Sequence, residues 1–410
     1  MPYPESVQFL YALGNEIKTV KFGLEAISAL VEELGHPERR YGVIHVAGTN
    51  GKGSTCAMIE AAARKAGYRT GLYTSPHLVE PTERIRINGK PVTREAFAKA
   101  FDVVHAANER LLAAGRIETH TTYFETVTAM GFLLMAQATV DLAIVEVGLG
   151  GRLDATNVVN PRLCVITSID FDHEAWLGNS LEKIAAEKAG ILKAGVPAVF
   201  SPQRPEALAV LEARATELGI TPTQTAPAKA EVHATGCDFE AFGRTIHCPL
   251  AGAHQAINAL TAVTALHQLG IAPDVSETQW PGRLQIIHGK PLILLDGAHN
   301  PAGVRALAAH LERFYADRPI TLIYGAMRDK SVQEITEILF PLADTVILTA
   351  PDSPRAVRPE ALAAESDHPN ILVLETAREA LEHARNARPD DLVIITGSLY
   401  LVGEILALIQ

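Results

Sequence analysis

The sequence predicts an α/β fold of two domains, each built on a mostly parallel sheet covered by helices. Three observations predict it. The length of 410 residues exceeds what one ordinary core organises. Short, continuously apolar runs alternate with helical patterns through the first half, as strands buried on both faces do. After a polar, proline-containing stretch the same alternation begins again and runs to the C-terminus.

In chain order, the first-half strands are "YGVIHVA" (41–47), "YRTGLYT" (68–74), "DLAIVEV" (141–147), "RLCVITS" (162–168) and "VPAVF" (196–200). Helices fall at about 94–114, 124–138 and 180–193. Residues 222–250 break the rhythm and read as short antiparallel strands inserted before a helix at about 254–269. Proline and polar residues cluster in "IAPDVSETQWPGRLQ" (271–285), which places a domain boundary there and divides the chain into 1–284 and 285–410. The second half supplies strands at 291–296, 319–325, 344–350, 371–375 and 391–397, with helices between them.

Composition excludes several classes. Apolar residues make up 48% and charged residues 20%, which suits a soluble globular chain rather than a disordered one. The net charge of -11 disfavours non-specific nucleic-acid binding, which needs a basic face. The start "MPYPESVQFLYALG" lacks a basic segment followed by a long apolar run, so no signal peptide is expected. "LVIITGSLYLVGEILALIQ" at the C-terminus is apolar, but Gly397, Ser398, Gly403 and Glu404 interrupt it. It reads as a closing strand and helix rather than a membrane anchor. The four cysteines form no C-x-x-C pair and are expected to be reduced thiols of a cytoplasmic protein. Cys237, His247 and Cys248 lack a fourth ligand and a zinc-like spacing, and read as an ordinary strand pair.

"HVAGTNGKGST" (45–55) lies between a strand and a helix, the context a phosphate loop requires. It departs from the usual pattern of glycine, four residues and Gly-Lys-Ser/Thr, because Gly53 separates Lys52 from Ser54. Gly48, Gly51 and Gly53 let backbone N–H groups approach a phosphate. The helix N-terminus adds oriented donors, Lys52 a point charge, and Ser54 or Thr55 a hydroxyl for Mg²⁺. No run ending in two acidic residues follows. Glu146, at the end of "AIVEV", is the candidate carboxylate in its place. From the residues alone, a ligand-free glycine turn remains the alternative.

The motifs "GTNGKGS" (48–54), "TSPHL" (74–78), "ERIRING" (83–89), "VEVGLGGRLDATN" (145–157), "DFDHEAWLG" (170–178), "EKAGI" (187–191), "GAHQAINA" (252–259), "PGR" (281–283) and "DGAHNPAG" (296–303) occur in one order. That ordered set resembles the dihydrofolate synthase/folylpolyglutamate synthase family, within the wider Mur-ligase-like group. The resemblance covers nearly the whole chain and is weakest at 205–250 and 330–390. It implies an N-terminal P-loop ATPase domain, a C-terminal Rossmann-like domain and an active site in the cleft between them. The implied reaction is ATP- and Mg²⁺-dependent. It joins L-glutamate to dihydropteroate or to the γ-carboxylate of a reduced folate through an acyl phosphate. A carboxylate and an amine do not condense unaided at neutral pH, because oxide is too poor a leaving group, so positioning and charge neutralisation fall to the protein.

By the same resemblance, Gly48, Thr49, Asn50, Gly51, Lys52, Gly53 and Ser54 would hold the ATP phosphates. Ser54, Ser75, Glu146 and His173 would ligate Mg²⁺, although Mg²⁺ prefers oxygen and a histidine ligand is unusual. Lys188 matches a lysine that is carbamylated in the family. A buried lysine, its pKa lowered by desolvation, has a neutral amine that takes up CO₂. Asn258 would contact adenine, Arg283 the phosphates, and Asp296, at a strand end, the nucleotide. His299 would face glutamate or phosphate, which with Lys52 and Lys188 makes three candidate catalytic residues. Asn300-Pro301 also reads as a helix N-cap followed by proline at the first helical position. Thr122, Tyr123, Phe124, Glu125, Leu153, Asp154 and Ala155 fall where bifunctional members hold the pterin portion. The resemblance further implies a monomer with small-molecule partners only.

Two other readings compete. One is a Mur-like ligase joining an amino acid to a UDP-sugar peptide, disfavoured because only about 40 residues precede the loop, too few for an extra nucleotide-sugar domain. The other is a nucleotide-binding protein without catalysis, disfavoured by the combined presence of Lys52, Glu146, His173, Lys188 and Asp296.

Overall fold

Val43 to Ala47 is an uninterrupted buried run, and it forms β1 (Gly42–Ala47) within an eight-stranded sheet. The computed structural model describes residues 1–14, 23–226, 229–328 and 330–409. The other strands of this sheet are β2 (Thr70–Tyr73), β3 (Ile85–Ile87), β4 (Lys90–Pro91), β5 (Leu142–Glu146), β6 (Leu163–Ile166), β7 (Ala198–Phe200) and β8 (Thr223–Gln224). Their order is β4-β3-β2-β5-β1-β6-β7-β8. From β2 to β8 every pairing is parallel. Each of the five strands expected in the first half is present.

β3 and β4 extend the edge in antiparallel fashion. Asn88 and Gly89 join them with φ of 48° and 77°. Positive φ at both central residues is what a tight two-residue hairpin needs, and Asn-Gly supplies it most readily. That signal stood in "ERIRING" but was read only as part of a motif.

The structure divides into two compact units. The first comprises Met1–Ile169, Asn179–Pro227 and Asn258–Glu277; the second comprises Asp170–Gly178, Ala228–Ile257 and Thr278–Gln410. The division is therefore not a single cut in the chain, unlike the expected one at 284. In the second unit a three-stranded antiparallel sheet is formed by β9 (Ala230–Val232), β10 (Cys237–Ala241) and β11 (Arg244–Cys248). Arg313 donates to the Val232 carbonyl at 3.3 Å, and Ala251 joins the second unit's core, which ties this segment to the later residues. It is the antiparallel insertion expected at 222–250, except that Thr223–Gln224 forms β8 and pairs in parallel in the first sheet; residues 227 and 228 lie outside the described residues.

The main sheet of the second unit contains β12 (Gln285–Ile287), β13 (Leu292–Leu295), β14 (Ile320–Tyr324), β15 (Thr345–Ala350), β16 (Ile371–Thr376) and β17 (Leu392–Thr396). Their order is β12-β13-β17-β14-β15-β16, parallel apart from β12. β12 was not expected, because its partly exposed "QII" is too short to carry a periodic signal.

Cores match the patterns that predicted them. In the first unit, helices Arg94–Ala113 and Tyr123–Gln137 bury Phe97, Phe101, Val104, Val127, Met130 and Phe132 against Val43, Tyr73 and Val145 of the sheet. In the second, helix Pro301–Phe314 buries Val304, Leu307 and Leu311 with Leu294, Leu322 and Ile394. All four cysteines are free and buried. Cys237 faces Cys248 across the β10–β11 ladder, while the neighbouring His247 points to the opposite face and pairs with Asp238 at 2.8 Å. Strand alternation thus separates the three residues once considered as a ligand set. The chain closes with β17 and helix Leu399–Ile409, and among the described residues no helix is long and apolar enough to cross a membrane.

Candidate active site

Three adjacent parallel strands of the first unit end together. β1 leads into the glycine loop, β5 on one side of it ends at Glu146, and β2 beyond β5 leads into Ser75. Carboxyl ends of neighbouring strands in an open parallel sheet are where such folds bind ligands. The register pairs Val46 with Glu146, so the carboxylate stands beside the start of the loop. Glu146 is buried, and its Oε2 accepts from the Ser75 N–H at 3.0 Å.

The loop is held from beneath. The N–H groups of Thr49 and Asn50 both donate to the Ser168 carbonyl, at 2.8 and 3.1 Å. Those two amides therefore brace the loop. The helix Lys52–Lys65 adds the positive end of its dipole to the loop, and by helix geometry its first amides have no acceptor within the helix itself. Its first bond runs from Thr55 N–H to the Gly51 carbonyl at 2.9 Å. Gly51, the N-cap, has φ 84°, and a Cβ there would strike the Asn258 side-chain amide. Gly48 has φ 152°, and a Cβ there would strike the Thr167 hydroxyl. We expect Gly51→Ala to cost about 1–3 kcal/mol from the left-handed conformation alone. Nucleotide affinity should fall further as the Asn258 amide is displaced. Calorimetric ADP titration beside thermal unfolding checks this; unchanged affinity would show that Asn258 does not sense the loop.

Two lysines meet at one carbonyl. Lys52 Nζ donates to the Gly48 and Thr49 carbonyls at 3.1 and 3.2 Å. Lys188 Nζ, buried, donates to the same Gly48 carbonyl at 2.9 Å. Ser54 is buried in the first helical turn, and the buried Thr55 hydroxyl beside it has no hydrogen-bond partner among the described residues. A glycine cradle, two converging lysine Nζ atoms and oxygen donors at Ser54, Ser75 and Glu146 fit a polyphosphate with a hard cation such as Mg²⁺.

The stretches expected to hold the pterin portion have local work to do. Thr122 and Glu125 form a capping box on helix Tyr123–Gln137. The spacing of Thr122 and Glu125 carries that signature in the sequence itself. Asp154 accepts from Leu149 N–H at 2.8 Å and Thr156 N–H at 3.0 Å, which shapes the turn after β5. Burial raises its pKa, offset in part by these bonds. Ala155 is buried and Leu153 partly so. Phe124 is only partly buried and lies against Gly148, where a Cβ would enter its ring. Tyr123 stacks on Tyr11 at 5.7 Å, with Arg84 5.1 Å over its ring. Of the seven, Phe124 is the side chain most available to a flat ligand.

In the second unit, Asp172 gathers a cluster that sequence reasoning named only in part. Lys330 Nζ donates to its Oδ1 at 2.7 Å and Asn300 Nδ2 to its Oδ2 at 3.3 Å, while His173 and His299 ring nitrogens each lie 3.8 Å away. Burial pushes the Asp172 carboxyl up, but the neighbouring cations outweigh it and hold the carboxyl well below the usual range. Burial also lowers His299 to about 4, with Lys330 adding to the effect, so His299 is neutral at pH 7. His299 Nδ1 lies 2.8 Å from the Gly297 carbonyl. Asn300 caps helix Pro301–Phe314, as its position before Pro301 suggested. Asp296 accepts from Leu284 N–H at 2.8 Å and Ala298 N–H at 2.9 Å; burial raises its pKa and the Arg283 charge opposes the rise.

Histidines kept neutral by full or partial burial give the protein an acid limit. His45 is fully buried within β1, bonds Thr156 Oγ1 at 2.8 Å, and is lowered to about 3 by burial and then by Lys193. His77 is likewise lowered to about 3 by burial and Arg84, and His254 to about 4 by burial and Arg283. The unfolded chain protonates these rings near pH 6.5, while the folded protein does so only near 3–4. Stability is therefore complete above about pH 6.5 and falls as pH drops toward 4, because the unfolded state then binds more protons. Urea unfolding at pH 7.5, 6 and 5 should give a steadily falling midpoint. A flat profile would contradict the burial of neutral rings.

Comparison with known proteins agrees with this geometry. Residues 46–266 match the Mur ligase middle domain and residues 282–399 the glutamate ligase domain of Mur ligases. A Bacillus subtilis dihydrofolate synthase/folylpolyglutamate synthase is 36% identical, covering 94% of each chain. A Mycobacterium tuberculosis folylpolyglutamate synthase, solved with ADP and AMPPCP, superposes with a TM-score of 0.90 at 32% identity over 99% of this chain and 98% of that one. Escherichia coli FolC, solved with DHPP and ADP, gives 0.88 at 31% identity over 100% and 98%. The chain belongs to the Mur ligase family, among its folylpolyglutamate and dihydrofolate synthases.

Proposed function

We propose that the protein is an ATP- and Mg²⁺-dependent ligase that adds L-glutamate to dihydropteroate, to the γ-carboxylate of reduced folates, or to both. The observation that carries this reading is the convergence of Lys52 and Lys188 on the Gly48 carbonyl, in a glycine cradle beside the buried Glu146. A substrate carboxylate oxygen attacks the γ-phosphorus of ATP and ADP leaves. The glutamate amine then attacks the acyl carbon, and phosphate leaves as the amide forms. Lys52 and the first amides of its helix neutralise phosphate charge in place, without the reorganisation that water would require. By the resemblance, Ser54, Ser75, Glu146 and His173 would hold Mg²⁺, which would supply further charge neutralisation. Carbamylated, Lys188 would keep one N–H for the Gly48 carbonyl and would add an anion to the cation's surroundings.

Asn258 serves adenine, Arg283 and Asp296 the nucleotide, and His299, uncharged at pH 7, accepts or passes a proton near the incoming glutamate. Phe124 offers its ring face to the pterin, with Thr122, Tyr123, Glu125, Leu153, Asp154 and Ala155 shaping that region. The first unit serves mainly nucleotide and acceptor, and the second mainly glutamate. The enzyme works as a monomer in the cytoplasm.

The test supplies ATP, Mg²⁺ and L-glutamate, then adds dihydropteroate, a reduced folate or a UDP-sugar peptide in turn, and measures phosphate. Release is expected with a folate or dihydropteroate and not without an acceptor. Release with the UDP-sugar peptide alone would overturn the assignment.

A further inference from the structure

Helix Arg94–Ala113 carries His105 and Glu109 one turn apart, so both project from the same face. His120 arrives beside them from the segment that leads into helix Tyr123–Gln137. One ligand-type atom from each residue lies within 4.8 Å of the other two. The closest pair is His120 Nε2 and Glu109 Oε1 at 3.1 Å, with His105 Nε2 3.9 Å from the same oxygen. We propose that His105, Glu109 and His120 form a binding site for a divalent transition-metal ion of the zinc type, separate from the nucleotide site.

The rings are held by contacts that leave their nitrogen edges toward Glu109. His105 stacks on the fully buried Phe101 at 5.5 Å and 7°. Phe9 packs edge-on against His105 at 4.8 Å and His120 at 6.0 Å. The two imidazoles are nearly parallel, at 15° and 5.6 Å. His120 sits on a fixed segment, because the next residue, Thr121, donates both its N–H and its hydroxyl to Asn108 Oδ1, at 3.3 and 3.1 Å. Asn108 and Glu109 are neighbours on the same helix, so one turn of helix anchors the segment and completes the triad.

Two imidazoles and one carboxylate suit zinc, nickel or copper and not Mg²⁺, which prefers an all-oxygen set. A metal bond near 2 Å to each ligand needs donor atoms a little over 3 Å apart; His120 and Glu109 already stand at 3.1 Å, and His105 must move in from 3.9 Å. Glu109 is exposed and both histidines are partly exposed, which leaves a fourth position open to water. A bound ion would lock the end of helix Arg94–Ala113 to the segment preceding the Thr122–Glu125 cap, and so act as a structural brace.

The experiment titrates Zn²⁺ into the full-length protein by calorimetry, with Mg²⁺ and ADP present in excess to occupy the nucleotide site. Wild type is expected to bind at a stoichiometric site that His120→Gln and Glu109→Gln each weaken. Loss of even an outer partner of a metal typically costs about 10–100-fold in affinity, so at least about tenfold weakening is expected for a direct ligand. Zn²⁺ should also raise the unfolding midpoint of wild type and not of the variants. Both variants replace exposed or partly exposed side chains and should unfold like wild type without metal. Zn²⁺ binding equal in wild type and both variants, or none in wild type, would overturn the proposal. Neither result bears on ligase activity, which all three proteins should retain with Mg²⁺.

Discussion

Lys52→Ala should lower kcat by at least about 10²–10³ while leaving the fold intact, since removal of one preorganised charge-stabilising donor has that effect. The structure says why the fold survives. The Gly48 carbonyl keeps its bond from Lys188 Nζ, and the loop keeps its two amide bonds to Ser168. What disappears is an ammonium placed at the first helical residue, beside amides that have no acceptor within the helix. Lys52→Arg should rescue little, because the planar guanidinium cannot reproduce a compact point charge reaching two loop carbonyls. Initial-rate phosphate release, with circular dichroism and thermal unfolding on the same samples, checks both halves. Near-normal turnover would remove the loop from the mechanism.

The second large effect is on stability. Asp172→Asn should destabilise the second unit by about 3–5 kcal/mol, the usual range for removing one member of a buried ion pair. Asp172 and Lys330 side chains are each only 9% exposed and lie 2.7 Å apart, so the substitution leaves the ammonium facing an amide in a poorly solvated place. Asp172→Asn/Lys330→Met should recover a large part of the loss, as removing both charges avoids the uncompensated one. Urea unfolding of wild type, the two single variants and the double variant measures the coupling. Strict additivity would show that the pair contributes nothing as a pair. The same contact gives a pH dependence. The depressed Asp172 carboxyl contributes stability that is present above its unfolded value and lost as pH falls through its folded one.

Much of the architecture was legible because the buried strands are continuous apolar runs bounded by turns. "YGVIHVA", "DLAIVEV" and "DLVIITG" became β1, β5 and β17. The loop was legible because glycine spacing, lysine and hydroxyls are local. Elements that were not legible depend on distant partners or on very short segments. β12 is three residues long and is specified by pairing with β13 rather than by its own pattern. Residues 170–178 group with the second unit although 162–169 belong to the first, a choice made by packing that no window of sequence displays. Asp172 was passed over for His173 because its partner Lys330 lies 158 residues away. The segment 121–125 is legible in a second sense. Its Thr122–Glu125 spacing specifies a helix cap whatever Phe124 binds.

The central claim is that the acceptor carboxylate is phosphorylated before glutamate is joined to it. The most direct measurement uses an acceptor labelled with ¹⁸O in that carboxylate, together with ATP, Mg²⁺ and L-glutamate, and analyses the released phosphate by mass spectrometry. The account predicts one ¹⁸O atom in each phosphate, because the oxygen that attacks the γ-phosphorus leaves with it when the amide forms. Unlabelled phosphate, released at the rate of amide formation, would contradict it.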